Sequence, residues 1–75
     1  MQTITNSENL GLLIRKERKA QELTQEQLAG LTGVGMRFVR ELEAGKESCQ
    51  LGRALRVAAA LGLSVSIGSR WESSS

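Results

Sequence analysis

The stretch Leu23-Thr-Gln-Glu-Gln-Leu-Ala-Gly-Leu-Thr-Gly-Val-Gly-Met-Arg-Phe-Val-Arg-Glu-Leu-Glu-Ala-Gly-Lys46 decides the fold. Thr24 precedes a run of helix formers and has Gln27 three residues on. At that spacing a hydroxyl and a side-chain amide satisfy each other's unpaired backbone N–H groups as a capping box. A helix therefore starts at Gln25. Leu28 and Leu31, three apart, are expected on one face of it, and it ends near Leu31 or Thr32. Gly33 and Gly35 then bracket Val34 and permit a tight turn that a bulky residue would resist. A second helix is expected over Met36 to Ala44, with Val39 and Leu42 inward and Phe38 beside Leu42 one turn apart. Met36, Arg37 and Arg40 take its opposite face, and Gly45 stops it at the position after the cap, where a left-handed residue is favoured.

Outward from this centre, a helix over Ser7 to Ala20 is expected from the helical spacing of Leu10, Leu13, Ile14 and Glu17. Thr5, with Glu8 three residues later, offers it a second capping box. A helix from Leu51 to Leu61 is expected to bury Leu51, Leu55, Ala58 and Leu61 and to stop at Gly62, with Ser48, Cys49 and Gln50 each a candidate cap. Beyond Gly62 the period changes to two: Leu63, Val65 and Ile67 alternate with Ser64, Ser66 and Gly68, a short strand with one apolar face. No other stretch reads as a strand. Its backbone partner is then most simply a second copy of the chain across a two-fold axis, the plainer alternative being an extended segment packed on its own helices. The expected organisation is an arm over residues 1–6, a helical domain over 7–62, a dimerisation strand over 63–68 and a flexible Ser-rich tail over 69–75. The arm is either disordered or touches a DNA backbone.

Seventy-five residues suit one small domain, and a chain this short buries a limited core and often leans on a partner subunit. There is no His, Asp or Tyr, and Cys49 is the one cysteine. That composition excludes a Ser/His/Asp triad, a Cys/His pair and a tetrahedral zinc site, so no enzyme, metal or cofactor is expected. Cys49 reads as a small filler rather than a redox sensor. The net charge of +2 is too small to argue for nucleic acid by itself. Distribution matters more: Arg15, Lys16, Arg18 and Lys19 cluster late in the first helix, and Arg37, Arg40 and Lys46 line the second helix of the quoted stretch and the loop after it. No apolar run of about 18 residues offers a membrane span, and the N-terminus lacks the pattern of a signal peptide. With one thiol, a reducing cytoplasm is the expected location.

The quoted stretch resembles the helix-turn-helix of the phage repressor and Cro class. From Leu10 to Leu63 the chain is similar to Xre-type regulators: Ile-Arg-x-x-Arg in the first helix, Leu-Thr-Gln-Glu-Gln-Leu-Ala in the second, Glu-x-Gly-Lys after the third and Leu-Arg-Val-x-x-x-Leu-Gly-Leu in the fourth. Gly35 departs from the Ser common ahead of the recognition helix, which weakens that cap and removes one phosphate contact. The ending Leu-Gly-Leu-Ser-Val-Ser-Ile resembles that of HipB-like antitoxins, which append a strand that pairs across a dimer. The resemblance implies an all-α, phage-repressor-like domain of four to five helices, a homodimer on a palindromic operator, autorepression, and a HipA-like Ser/Thr kinase toxin as partner. A free-standing Xre-type or phage-type repressor without a toxin is the first alternative, and an interaction adaptor that has lost DNA binding the second. The resemblance also implies an ion pair between Arg18 and Glu43 that locks the first helix against the third.

A recognition helix presents the side chains near its N-terminus to base edges while the preceding helix crosses the phosphates. Arg37 and Arg40, three apart on one face, carry forks that match O6 and N7 of guanine, with phosphate binding or solvation as the plainer reading. Met36 could lie on a thymine methyl or stay idle. Thr24 and Gln25 stand at a helix N-terminus suited to a phosphate, and Lys46 either meets the DNA backbone as a point charge or remains solvated. Trp71, in a polar tail, is an anchor for a partner's pocket or folds back on its own domain.

Overall fold

The computed structural model describes residues 4–66, and Ile67, Trp71 and the rest of the expected tail lie outside them. The described chain forms four helices: α1 (Ser7–Ala20), α2 (Gln25–Thr32), α3 (Met36–Glu43) and α4 (Leu51–Ala60). α3 packs against α1 and α2, and α4 closes the other side of α2. Ile14, Leu28, Val39 and Val57, one from each helix, are fully buried at the centre, with Ala29, Val34, Leu42, Ala54, Ala58 and Leu61 completing the core. At Gly11 the backbone of α1 lies close against the end of α3. A Cβ there would collide with the carbonyl oxygens of Leu42 and Glu43, so only glycine admits this approach.

The helix ends explain how the elements are joined. At α2 the expected box is present in both directions: Gln27 N–H donates to Thr24 Oγ1 at 3.0 Å and Thr24 N–H donates to Gln27 Oε1 at 2.8 Å. Three helices close with a pair of backward bonds in which the second residue past the cap reaches the third-last carbonyl of the helix. Leu23 N–H donates to Arg18 O at 3.1 Å, Lys46 N–H to Glu41 O at 3.0 Å and Leu63 N–H to Ala58 O at 3.0 Å. Glycine takes the left-handed residue at Gly45 and Gly62, but at α1 that residue is Glu22, with φ 57°. α2 ends more simply on Gly33, φ 75°.

Three expectations are corrected. The cap of α1 is Asn6, whose side chain accepts from Asn9 N–H at 2.8 Å, and not Thr5, which instead donates its N–H and hydroxyl to Asn9 Oδ1. α2 buries Leu28, Ala29 and Thr32, leaving Leu31 exposed. α4 buries Ala58 and Leu61 as expected, but Ala54 and Val57 face inward in place of Leu51 and Leu55, which lie open. In both helices small side chains allow close approach of the backbones, and close packing there outweighs the larger transfer energy of one leucine. Over residues 63–66 no strand pairing is present, and Leu63 packs against the core with its amide held by α4.

Candidate nucleic-acid interface

Two short helices present the polar face. Gly33 in the left-handed region lets the chain turn sharply after α2, and Val34 is buried beneath the turn, so α3 starts at a defined angle to α2. Gly35 caps α3 without a side-chain bond. Val39 and Leu42 hold α3 on the core, while Arg37 and Arg40 are exposed and Met36 is half-buried. The Arg37 side chain keeps 89% of its surface open to solvent, which leaves it free to meet a partner. Arg40 lies back along the helix, with a terminal nitrogen 3.9 Å from Met36 Sδ.

Arg18 and Glu43 fasten α1 to α3. The guanidinium donates from Nε to Glu43 Oε2 at 2.7 Å and from Nη2 to Oε1 at 3.0 Å, and its third nitrogen donates to Leu23 O at 2.8 Å. Both side chains are buried, and the hydrogen bond to Glu43 raises the Arg18 pKa above its already high ordinary value. Gln25 gives the Glu43 carboxylate a third donor, from Nε2 to Oε1 at 3.1 Å. The first turn of α2 is thereby tied to the end of α3. The capping box uses the N–H groups of Thr24 and Gln27, leaving those of Gln25 and Glu26 directed outward at the positive end of the helix dipole.

Beside that helix end is a cleft of about 370 Å³ lined by Arg15, Arg18, Gln25, Arg40, Glu43 and Ala44. It brings Arg40 and Gln25 together and adds Arg15, which the sequence reading noted only as part of a basic cluster. Lys46 and Arg37 meet elsewhere, on Glu41. Lys46 Nζ lies 3.1 Å and Arg37 Nε 3.3 Å from Glu41 Oε2. The hydrogen bond from Lys46 is the main cause that holds the Glu41 carboxyl below the usual carboxylate range, with both cations adding to it. Sequence reasoning overlooked Glu41, although its i, i+4 spacing from Arg37 was a usable signal. Among the described residues no group of His, Cys, Asp and Glu could hold a metal ion, and no helix is long and apolar enough to cross a membrane.

The family model described as helix-turn-helix matches residues 14–67, spanning all of α2, the turn, α3 and α4. The chain belongs to the helix-turn-helix family. An uncharacterized HTH-type transcriptional regulator, y4mF, of Sinorhizobium fredii (strain NBRC 101917 / NGR234) is 49% identical over 59 residues, covering 79% of this chain and 78% of the relative. Among solved structures, the fold is similar to "HipB-O4 20mer complex", with TM-score 0.83, 20% identity, and 93% of this chain and 99% of that chain covered. It is likewise similar to "Structure of HipA-HipB-O2-O3 complex", with TM-score 0.84, 20% identity and coverage of 93% and 99%. This helix-turn-helix chain is accordingly a DNA-binding regulatory domain and not an enzyme.

Proposed function

We propose that this helix-turn-helix protein is a sequence-specific transcriptional repressor that binds a palindromic operator as a homodimer and represses its own operon. The observation that carries the reading is the open face of α3, where the Arg37 side chain is exposed to solvent at the first turn of a helix held on the core by Val39 and Leu42. In this reading Met36, Arg37 and Arg40 meet base edges, Arg37 through a guanine fork and Met36 through a thymine methyl. Thr24 and Gln25 meet the phosphates, with the outward N–H groups of α2 as donors, and Lys46 joins them only where its side chain leaves Glu41. Arg40, which lines the cleft beside Gln25, is the one of the three also placed to turn to a phosphate.

Dimerisation is supported by large apolar side chains that the other described residues leave exposed: Leu51 and Leu55 on α4, and Val65 beyond it. In the dimer the strand reading assigns Val65 and Ile67 to pairing across the two-fold axis. Leu63 contributes its side chain and not its amide, which α4 already holds. Half-sites would then lie about one helical turn, roughly 10 base pairs, apart.

The finer reading is an antitoxin that neutralises a HipA-like kinase in a reducing cytoplasm, and it is supported by the likeness in fold to HipB bound with HipA and DNA. The alternative of a regulator without a toxin is supported by the relative named only as an HTH-type transcriptional regulator. The deciding experiment is fluorescence anisotropy of the full chain on the DNA upstream of its own gene, with random duplex as competitor, beside the Arg37→Ala, Arg40→Ala double variant. Saturable binding that survives the competitor and is lost in the variant is expected. Equal binding to both duplexes would refute operator reading and leave the adaptor. Co-purification of a neighbouring kinase with the tagged protein then separates antitoxin from free-standing repressor.

A further inference from the structure

Glu41 places a negative charge in the middle of a face otherwise offered to a polyanion. Its Oε2 accepts from Arg37 Nε at 3.3 Å and from Lys46 Nζ at 3.1 Å, and its backbone oxygen accepts from Lys46 N–H at 3.0 Å. Lys46 is therefore bound to Glu41 twice. Its backbone cannot swing away without unwinding the end of α3, so only its flexible stem can move. Arg37 donates through Nε, which leaves both terminal nitrogens of its fork open. The carboxylate is ionised at neutral pH, since the hydrogen bond from Lys46 favours its charged form.

Without Glu41, Arg37 and Lys46 would be two free cations able to grip any phosphate, and phosphate contacts are indifferent to base sequence. With Glu41 in place, a phosphate drawn to either cation also approaches a carboxylate. A guanine edge carries no net charge, and the terminal nitrogens of Arg37 can reach O6 and N7 while Nε stays on Glu41. We propose that Glu41 is a specificity-determining residue, which suppresses binding to random duplex by holding Arg37 and Lys46 and aims the Arg37 fork at a base. This inference rests on the operator-binding reading above.

The test compares full-length wild type, Glu41→Gln and Glu47→Gln. Glu47 is exposed, adjoins Lys46 and controls for the loss of one negative charge from the same region. Anisotropy titrations on the upstream DNA and on random duplex are run across a salt series, with circular dichroism to verify helix content. Glu41→Gln is expected to bind random duplex about five- to tenfold more tightly than the control variant does, with a log–log salt slope steeper by about one to two, as for one or two extra phosphate contacts. Its operator affinity should change by less than about threefold, so the preference for operator falls. In an Arg37→Ala background the added slope from Glu41→Gln should drop to about one, because only Lys46 remains to be freed. If wild type prefers its operator yet Glu41→Gln behaves as Glu47→Gln does, the inference is overturned and the repressor reading stands. If wild type shows no operator preference, both fall together.

Discussion

Replacing Arg18 by methionine removes every bond that fastens α1 to Glu43 while retaining much of the side chain's length. The variant loses the two-bond pair with Glu43 and the bond to Leu23 O, and leaves a buried carboxylate with Gln25 as its remaining side-chain donor. Stripping one partner from a buried pair costs about 3 to 5 kcal/mol, because the other charge stays out of water without compensation. The total stability of a domain this size is about 4 to 11 kcal/mol at roughly 0.05 to 0.15 kcal/mol per residue. Arg18→Met should therefore lose roughly a quarter or more of its stability, and at the low end of that range it is unfolded at room temperature. Urea denaturation followed by circular dichroism reads this directly. With an m-value of about 1 kcal/mol/M the midpoint should fall by about 3 M, measured at fixed protein concentration because dimerisation adds to apparent stability. The double variant Arg18→Met, Glu43→Leu removes the stranded charge and should recover to within about 1 kcal/mol of wild type. A loss below about 1 kcal/mol in the single variant would refute the reasoning, since that is the worth of an exposed pair. So would a double variant no more stable than the single one.

Three further outcomes are expected. Glu22 holds the left-handed position that closes α1, and Glu22→Gly should stabilise by roughly 0.5 to 1 kcal/mol, raising Tm by a few degrees in a thermal melt. A lower Tm would show that the glutamate side chain does something at that turn beyond occupying it. Gly35→Ser has open space for its Cβ and supplies the missing cap of α3, so a gain of about a few tenths of a kcal/mol is expected in urea, and destabilisation would count against the cap geometry. Burial, with the Glu41 charge adding to it and Lys46 opposing, pushes the Cys49 thiol up, so the group stays protonated to higher pH than a free cysteine. Its alkylation by iodoacetamide should still be rising with pH at about pH 8.5, the ordinary thiol value, and a rate that levels off below that pH would contradict the assignment.

What could be read in advance followed from bonds that are local in sequence. The Thr24 and Gln27 box, the glycine stops at Gly33, Gly45 and Gly62 and the span of α1 depend on residues within a few positions of one another, so spacing alone determines them. The inward choices of Val39 and Leu42 on α3 belong to the same class, because the flanking charged residues leave one apolar side to bury. The buried faces of α2 and α4 were legible only in part. Ala58 and Leu61 are buried as expected, but Leu31, Leu51 and Leu55, the larger apolar side chains, stay exposed while Ala29, Ala54 and Val57 face the core, since how closely two helices may approach is set by both of them at once. The candidate interface divides along the same line. Residue type and helix position placed Arg37 and Arg40 on the outer face of α3, but the meeting of Arg37 and Lys46 on Glu41 needed the closing turn of that helix in three dimensions. The cleft that gathers Arg15 from α1, Gln25 from α2 and Arg40 from α3 arises only when the three helices are docked. Sequence by itself determined the helices, most of their ends and the chemistry available on them, the cap of α1 at Asn6 being the exception. Tertiary structure decided which side chains are covered and which charges meet, because burial and Coulomb attraction depend on distances that the chain order does not contain.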